Sequence, residues 1–262
     1  MERIRSDPAQ RRSFSEYEVN VKPGMTVNDA LFFIKERLDG SLSWRVSCRM
    51  GICGSCGMQI NGRQMLACQT QITDLKTDQI VLRSLPNYPI IKDLVTDLTE
   101  LYTKHRRVKP YIIRTDLDEL EKPTREYVQT PEQMERYLQF AYCIMCGLCN
   151  SACPVIATDE KFLGPQALAQ AFRYNTDSRD EGAHYRLEVV NEPHGCWRCH
   201  FAGACSAVCP RGVDPALGIQ LLRREALRSK IGIAKPARGA PVAAIGQFKR
   251  REGIPDAPRR TV

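Results

Sequence analysis

Twelve cysteines in 262 residues fall into three tight sets, and the middle one is the densest. It reads Cys143-Ile-Met-Cys146-Gly-Leu-Cys149-Asn-Ser-Ala-Cys153-Pro154. Cysteines two or three residues apart are poorly placed to form disulfides and well placed to converge on a metal centre. Most of the remaining chain reads as a scaffold that holds these sets in a row. Met1 to Arg12 is charged and lacks an apolar run, so a secretory signal is not expected. A reducing compartment, with thiolates free to bind iron or zinc, is the matching expectation.

The middle set has the spacing C-x2-C-x2-C-x3-C-P, that of bacterial-type iron–sulfur ferredoxins. A second run repeats it at Cys199-His-Phe-Ala202-Gly-Ala-Cys205-Ser-Ala-Val-Cys209-Pro210, with Ala202 at the second cysteine position. In two-cluster ferredoxins the fourth cysteine of each run ligates the other cluster. One cluster then receives Cys143, Cys146, Cys149 and Cys209, and is expected to be [4Fe–4S]. The other receives Cys153, Cys199 and Cys205, and is expected to be [3Fe–4S]. A missing thiolate also removes a negative charge, which raises the potential of that centre. Cys196 offers an alternative fourth ligand through Cys196-x2-Cys199. Its plainer reading is a small buried hydrophobe, which is favoured because the repeat directs position 202 to the vacant corner.

The upstream set is Cys48-Arg-Met-Gly-Ile-Cys53-Gly-Ser-Cys56, completed by Cys68. This is the plant-type [2Fe–2S] spacing. Gly51, Gly54 and Gly57 are expected to take positive φ and bring backbone N–H groups to the sulfurs. Zinc prefers paired C-x2-4-C units and fits this loop badly.

Around these sets the pattern predicts a half-buried strand over 14–21. A helix capped by Thr26 and Asp29 follows, with Val27, Ala30, Leu31, Ile34 and Leu38 on one face and Gly40 at its end. An Asn61-Gly62 hairpin, a strand at 80–82 and a helix carrying Ile91, Leu94, Val95, Leu98, Leu101 and Tyr102 complete the first half. Residues 105–130 read as a surface connection. Thr130-Pro131 with Gln133 starts a helix that runs into Cys143, and Asp214-Pro215 starts another that reaches about Ser229. Helices are expected over 164–174 and 181–190. The expected fold class is α+β: an N-terminal β-grasp plant-type ferredoxin domain (1–104), then an all-α bacterial-type two-cluster domain (105–230). A basic, proline-containing tail follows (231–262).

No apolar run is long enough to span a bilayer. The formal net charge is +8, and much of the excess lies in the last thirty residues. Solubility is the bland reading. Nucleic acid or an anionic membrane face are the alternatives. A zinc-bearing nucleic-acid binder is the rival from another class, but the sequence lacks a C-x2-C…H-x3-5-H pattern.

Three clusters in this order closely resemble the iron–sulfur subunit of succinate:quinone oxidoreductase and quinol:fumarate reductase. The matching residues include Ser47 to Cys56, Cys143 to Pro154, Phe162-Leu-Gly-Pro165, Asp177-Ser-Arg-Asp180 and Cys199 to Pro215. The resemblance implies an oxidoreductase subunit that relays single electrons between FAD on a flavoprotein subunit and a quinone beside a membrane anchor. It implies peripheral placement on the cytoplasmic face of the inner membrane, no nucleic acid and no catalytic residue on this chain. It also places Pro154, Trp197, Arg198 and His200 near the quinone. The plain readings are packing for Trp197 and a backbone-bonded loop residue for His200. Val155 to Thr158 replaces a region where many succinate dehydrogenases carry a quinone-binding tryptophan. The N-terminus before Asp7-Pro8 is short for this family.

Overall fold

The computed structural model describes residues 1–3 and 13–230. The Asp7-Pro8 edge and the basic tail, residues 231–262, lie outside the described residues. The strands are β1 (Glu2–Arg3), β2 (Ser13–Phe14), β3 (Gly57–Ile60), β4 (Arg63–Leu66), β5 (Leu82–Arg83), β6 (Ile90–Lys92) and β7 (Val95–Thr96). The first helices are α1 (Val27–Phe33), α2 (Thr99–Arg107), α3 (Leu117–Glu121), α4 (Pro131–Ala141) and α5 (Leu148–Ser151). Then come α6 (Pro154–Thr158), α7 (Gly164–Thr176), α8 (Ala183–Val190), α9 (Ala204–Ala207) and α10 (Pro215–Lys230). The architecture is α+β, with small sheets first and helices after. The chain forms two compact units. One comprises Met1–Glu100 with Ile144–Ala152, and the other Leu101–Cys143 with the described residues from Cys153 onward.

In the first unit, β3 lies between β4 and β5, antiparallel to both. The β3–β4 hairpin turns at Asn61 and Gly62, both at positive φ, with Ile60 opposite Arg63. This is the primed turn whose twist matches that of the strands. α1 starts with a complete capping box: the Asp29 N–H donates to Thr26 Oγ1 at 3.2 Å, and the Thr26 N–H to Asp29 Oδ2 at 2.9 Å. Val27, Leu31, Leu42, Met58, Ile60 and Leu66 form a buried core.

Several local expectations are corrected. Residues 15–21 alternate in exposure, but among the described residues the strand ends at Phe14: Ser15 still exchanges backbone hydrogen bonds with Met1, and residues 16–21 lie in no strand. After α1 the chain widens into a π-turn over Ile34–Leu38, where Asp39 N–H reaches Ile34 O. Leu38 is therefore exposed rather than facing the core, and Asp39, not Gly40, ends the helix. Residues 90–96 form the β6–β7 hairpin instead of a helix. Asp93, fully buried at φ 48°, turns it and accepts the Ser43 N–H at 3.0 Å. The helix begins only at Thr99, whose N–H donates to Asp97 Oδ1 at 2.8 Å.

In the second unit, α7 packs against α4 and α10. Phe140 and Phe172 meet edge-on with ring centroids 5.0 Å apart, inside a core that includes Phe162, Leu168, Val190 and Leu222. The Thr130–Gln133 capping box forms as the sequence predicts. The connection after α2 is not a plain surface run. Arg186, with no exposed surface, donates to the carbonyls of Val108, Lys109 and Tyr111 and pairs with Asp180. Those acceptors are what make a buried guanidinium tolerable.

Candidate functional site

The upstream cysteines surround a loop that folds back on its own sulfur. The N–H groups of Met50, Ile52 and Cys53 donate to Cys48 Sγ at 3.5, 3.3 and 3.2 Å. Led by the Cys53 N–H, they hold the Cys48 thiol down at about 6, so the anion is favoured at neutral pH. Cys56 and Cys68 are buried, and burial pushes the Cys56 thiol up to about 12. Ligation must remove that proton. The Cys68 N–H donates to Cys56 Sγ at 3.4 Å. Three backbone donors on one thiolate and two buried thiols in the same motif suit a small anionic cluster.

Gly54 sits at φ 72°, and a Cβ there would lie 2.7 Å from Cys146 Cβ. The absent side chain lets the [2Fe–2S] loop and the segment carrying Cys146 approach within one unit. Asn87 and Tyr88 hold that segment further: Asn87 Nδ2 donates to Asn150 O and Ser151 O, and Tyr88 Oη to Gly147 O at 3.0 Å. Gly57 corrects the expectation of positive φ. It opens β3, and its missing Cβ leaves room for Leu148.

The two bacterial-type loops take the same turns. Met145 and Phe201 have φ 54° and 59°, and Gly147 and Gly203 both have φ 78°. A four-residue helix follows each glycine, α5 and α9. Ala202 thus occupies the backbone position of Cys146. Of the [4Fe–4S] candidates, Cys146 and Cys149 belong to the first unit, Cys143 and Cys209 to the second.

Cys153, Cys199 and Cys205 line one cavity of about 330 Å³, mouth included, together with Ala202, Pro154, His200 and Phe162. Three thiols lining one cavity, with a methyl group at the fourth corner, suit a cluster held by three thiolates. Burial pushes the Cys205 thiol up to about 12 and also raises Cys153. The Phe201 N–H donates to Cys199 Sγ at 3.3 Å, the same i to i+2 bond that Met50 makes to Cys48. Cys196 does not line the cavity. It is fully buried in the helical core, and burial raises its thiol to about 11.

Pro154 and His200 line the cavity, whereas Trp197 and Arg198 do not. Trp197 Nε1 donates to Asn191 Oδ1 at 2.6 Å, and Arg198 Nε to Asp159 Oδ2 at 2.9 Å. Sequence reasoning missed Arg223. Its Nε donates to Cys196 O at 3.0 Å, and its Nη2 to Trp197 O and Cys199 O, tying α10 to the start of the second loop. No local pattern distinguishes it from the other arginines of α10. Asp214 was legible as a cap, and its carboxylate also accepts from Ser206 Oγ, beside Cys205.

Among the described residues, no group of three His, Cys, Asp or Glu side chains could hold a single metal ion. A cluster has several iron and sulfur atoms, so its thiolates stand further apart than ligands sharing one ion. Among the same residues, no helix is long and apolar enough to cross a membrane.

Residues 1–103 match the family described as a 2Fe-2S iron-sulfur cluster binding domain, and residues 139–213 the 4Fe-4S dicluster domain. The fumarate reductase iron-sulfur subunit of Mycobacterium tuberculosis is 46% identical over 218 residues, covering 83% of this chain and 87% of that protein. The succinate dehydrogenase iron-sulfur subunit of Coxiella burnetii is 37% identical over 214 residues, covering 81% and 88%. A chain of the Mycobacterium smegmatis Sdh1 complex in the apo form superposes with a TM-score of 0.79 at 26% identity, covering 88% of this chain and 95% of that one. Spacing, loop geometry and these likenesses agree: the chain belongs to the family of succinate dehydrogenase and fumarate reductase iron–sulfur subunits.

Proposed function

We propose that this chain is the electron-relay subunit of a membrane-bound succinate:quinone oxidoreductase, peripheral on the cytoplasmic face of the inner membrane. It passes electrons singly between FAD on a flavoprotein subunit and a quinone held with a membrane anchor. When bound, the [2Fe–2S], [4Fe–4S] and [3Fe–4S] clusters supply the one-electron chemistry, and the protein sets their surroundings. Cys48, Cys53, Cys56 and Cys68 are the proposed ligands of the first. Cys143, Cys146, Cys149 and Cys209 are those of the second, and Cys153, Cys199 and Cys205 those of the third. Domain boundaries at 104 and 230 follow the same division.

The observation that carries this reading is the cavity lined by Cys153, Cys199, Cys205 and Ala202 but not by Cys196. Three thiols and a methyl group at one void support a cluster with one iron fewer. Pro154 and His200, on the same cavity, are the residues proposed to meet the quinone.

Purifying the chain with whatever it binds tests the assignment. A brown complex with a flavin-bearing subunit, iron and acid-labile sulfide is expected. A colourless protein with stoichiometric zinc would contradict it. A second reading, quinol:fumarate reduction over the same path, is favoured by 46% identity to a fumarate reductase subunit against 37% to a succinate dehydrogenase subunit. Assaying the intact complex in both directions, with its own quinone, decides between them.

A further inference from the structure

α7 is buried along most of its length, from Gly164 to Phe172, and two of those residues are glutamines. Gln166 is 2% exposed and Gln170 7%. A buried amide is costly unless it is hydrogen-bonded, and an apolar residue would fill either position. Both amide nitrogens serve the end of α4 and the residues just after it. Gln170 Nε2 donates to Phe140 O at 2.9 Å, the carbonyl that also accepts the Cys143 N–H. Gln166 Nε2 lies 3.9 Å from Cys143 Sγ and 3.2 Å from His105 Nδ1.

An amide nitrogen carries two hydrogens, one for each of those neighbours. His105 lies on α2. Burial lowers its pKa, which keeps the ring neutral, and in the tautomer that carries its proton on Nε2 the Nδ1 accepts. With Nδ1 as acceptor, the amide nitrogen of Gln166, and not its oxygen, faces the sulfur.

We infer that Gln166 raises the reduction potential of the [4Fe–4S] centre by donating to Cys143 Sγ, with His105 fixing the orientation of its amide. The inference rests on the reading of Cys143 as a ligand of that centre. Reduction adds negative charge that spreads onto the ligand sulfurs, and a hydrogen-bond donor stabilises the reduced form more than the oxidised one. Gln166 touches the ligand and not the cluster, so it is a positioning residue.

The test is a redox titration of the intact complex followed by electron paramagnetic resonance. At the ambient potential where the native [4Fe–4S] centre is half reduced, Gln166→Leu is expected to lower the reduced-to-oxidised ratio about tenfold. For a one-electron couple this is a midpoint lower by about 59 mV. The [2Fe–2S] midpoint should not move. Gln166→Met, unbranched and close in length, should give the same shift. An unchanged midpoint with the cluster intact in either variant overturns the inference. If both variants lose the cluster, the native complex labelled with 15N in its glutamine side chains decides. Pulsed resonance on the reduced centre should detect a coupled amide nitrogen, and its absence overturns the inference. The ligand reading fails separately: a [4Fe–4S] signal unaltered by Cys143→Ala would contradict that assignment.

Discussion

The loops at Cys143–Cys153 and Cys199–Cys209 are the same backbone turn carrying a cysteine in one and an alanine in the other at its second motif position. Each puts a non-glycine residue, Met145 or Phe201, into the left-handed region, then a glycine at φ 78°, then a one-turn helix. They differ at Cys146 and Ala202. The turn therefore does not depend on the thiol at that position. It is set by the glycine and by neighbours such as Arg223, which holds the carbonyls before the second loop. The loop keeps its shape without that sulfur, and on the proposed ligand assignment the lost sulfur changes the cluster it can hold.

The comparison can be broken most severely at the cavity. Cys205→Ala removes one of the three thiols there and should abolish the three-iron signal and quinone-linked turnover, leaving the [2Fe–2S] signal in place. Retention of the three-iron signal would show that the cavity is not its site. Ala202→Cys restores the motif of the first loop. It should convert the three-iron centre to a four-iron one, read as loss of the oxidised-state signal and a gain in iron content. No change in cluster type would mean that the two loops are not equivalent. Smaller effects test the turns themselves. Gly147→Ala and Gly203→Ala each force a side chain into the left-handed region, at about 1–2 kcal/mol. Equal losses in thermal stability sharpen the equivalence, and unequal ones would locate a difference in support. Cys196→Ala should cost about 1 kcal/mol through lost packing, with no change in the spectrum of either cluster.

Much of this was legible because it is local. Ligand spacing, the capping boxes at Thr26 and Thr130 and the Asn61-Gly62 turn depend on residues a few positions apart, and the structure shows both boxes and the turn. The misread elements depend on distant partners. Residues 90–102 carry apolar positions at helical spacing, but Asp93 is buried where it meets Ser43, fifty residues away. Residues 90–96 accordingly form a hairpin held at that contact, and the helix is confined to the part from Thr99 onward. Arg186 looks like an ordinary charge on the polar side of α8. Only the carbonyls of Val108, Lys109 and Tyr111, together with the Asp180 carboxylate, explain why it is buried. Gln166 is silent for the same reason: its relation to Cys143 and His105 exists only once α7 has packed.

The central claim is that the cavity lined by Cys153, Cys199, Cys205 and Ala202 holds a three-iron centre. Electron paramagnetic resonance of the air-oxidised, purified complex tests it most directly. A [3Fe–4S] signal present in the oxidised state and lost on reduction is the expected result. Its absence, with two [4Fe–4S] centres appearing on reduction, would contradict the claim and bring Cys196 forward as the fourth ligand.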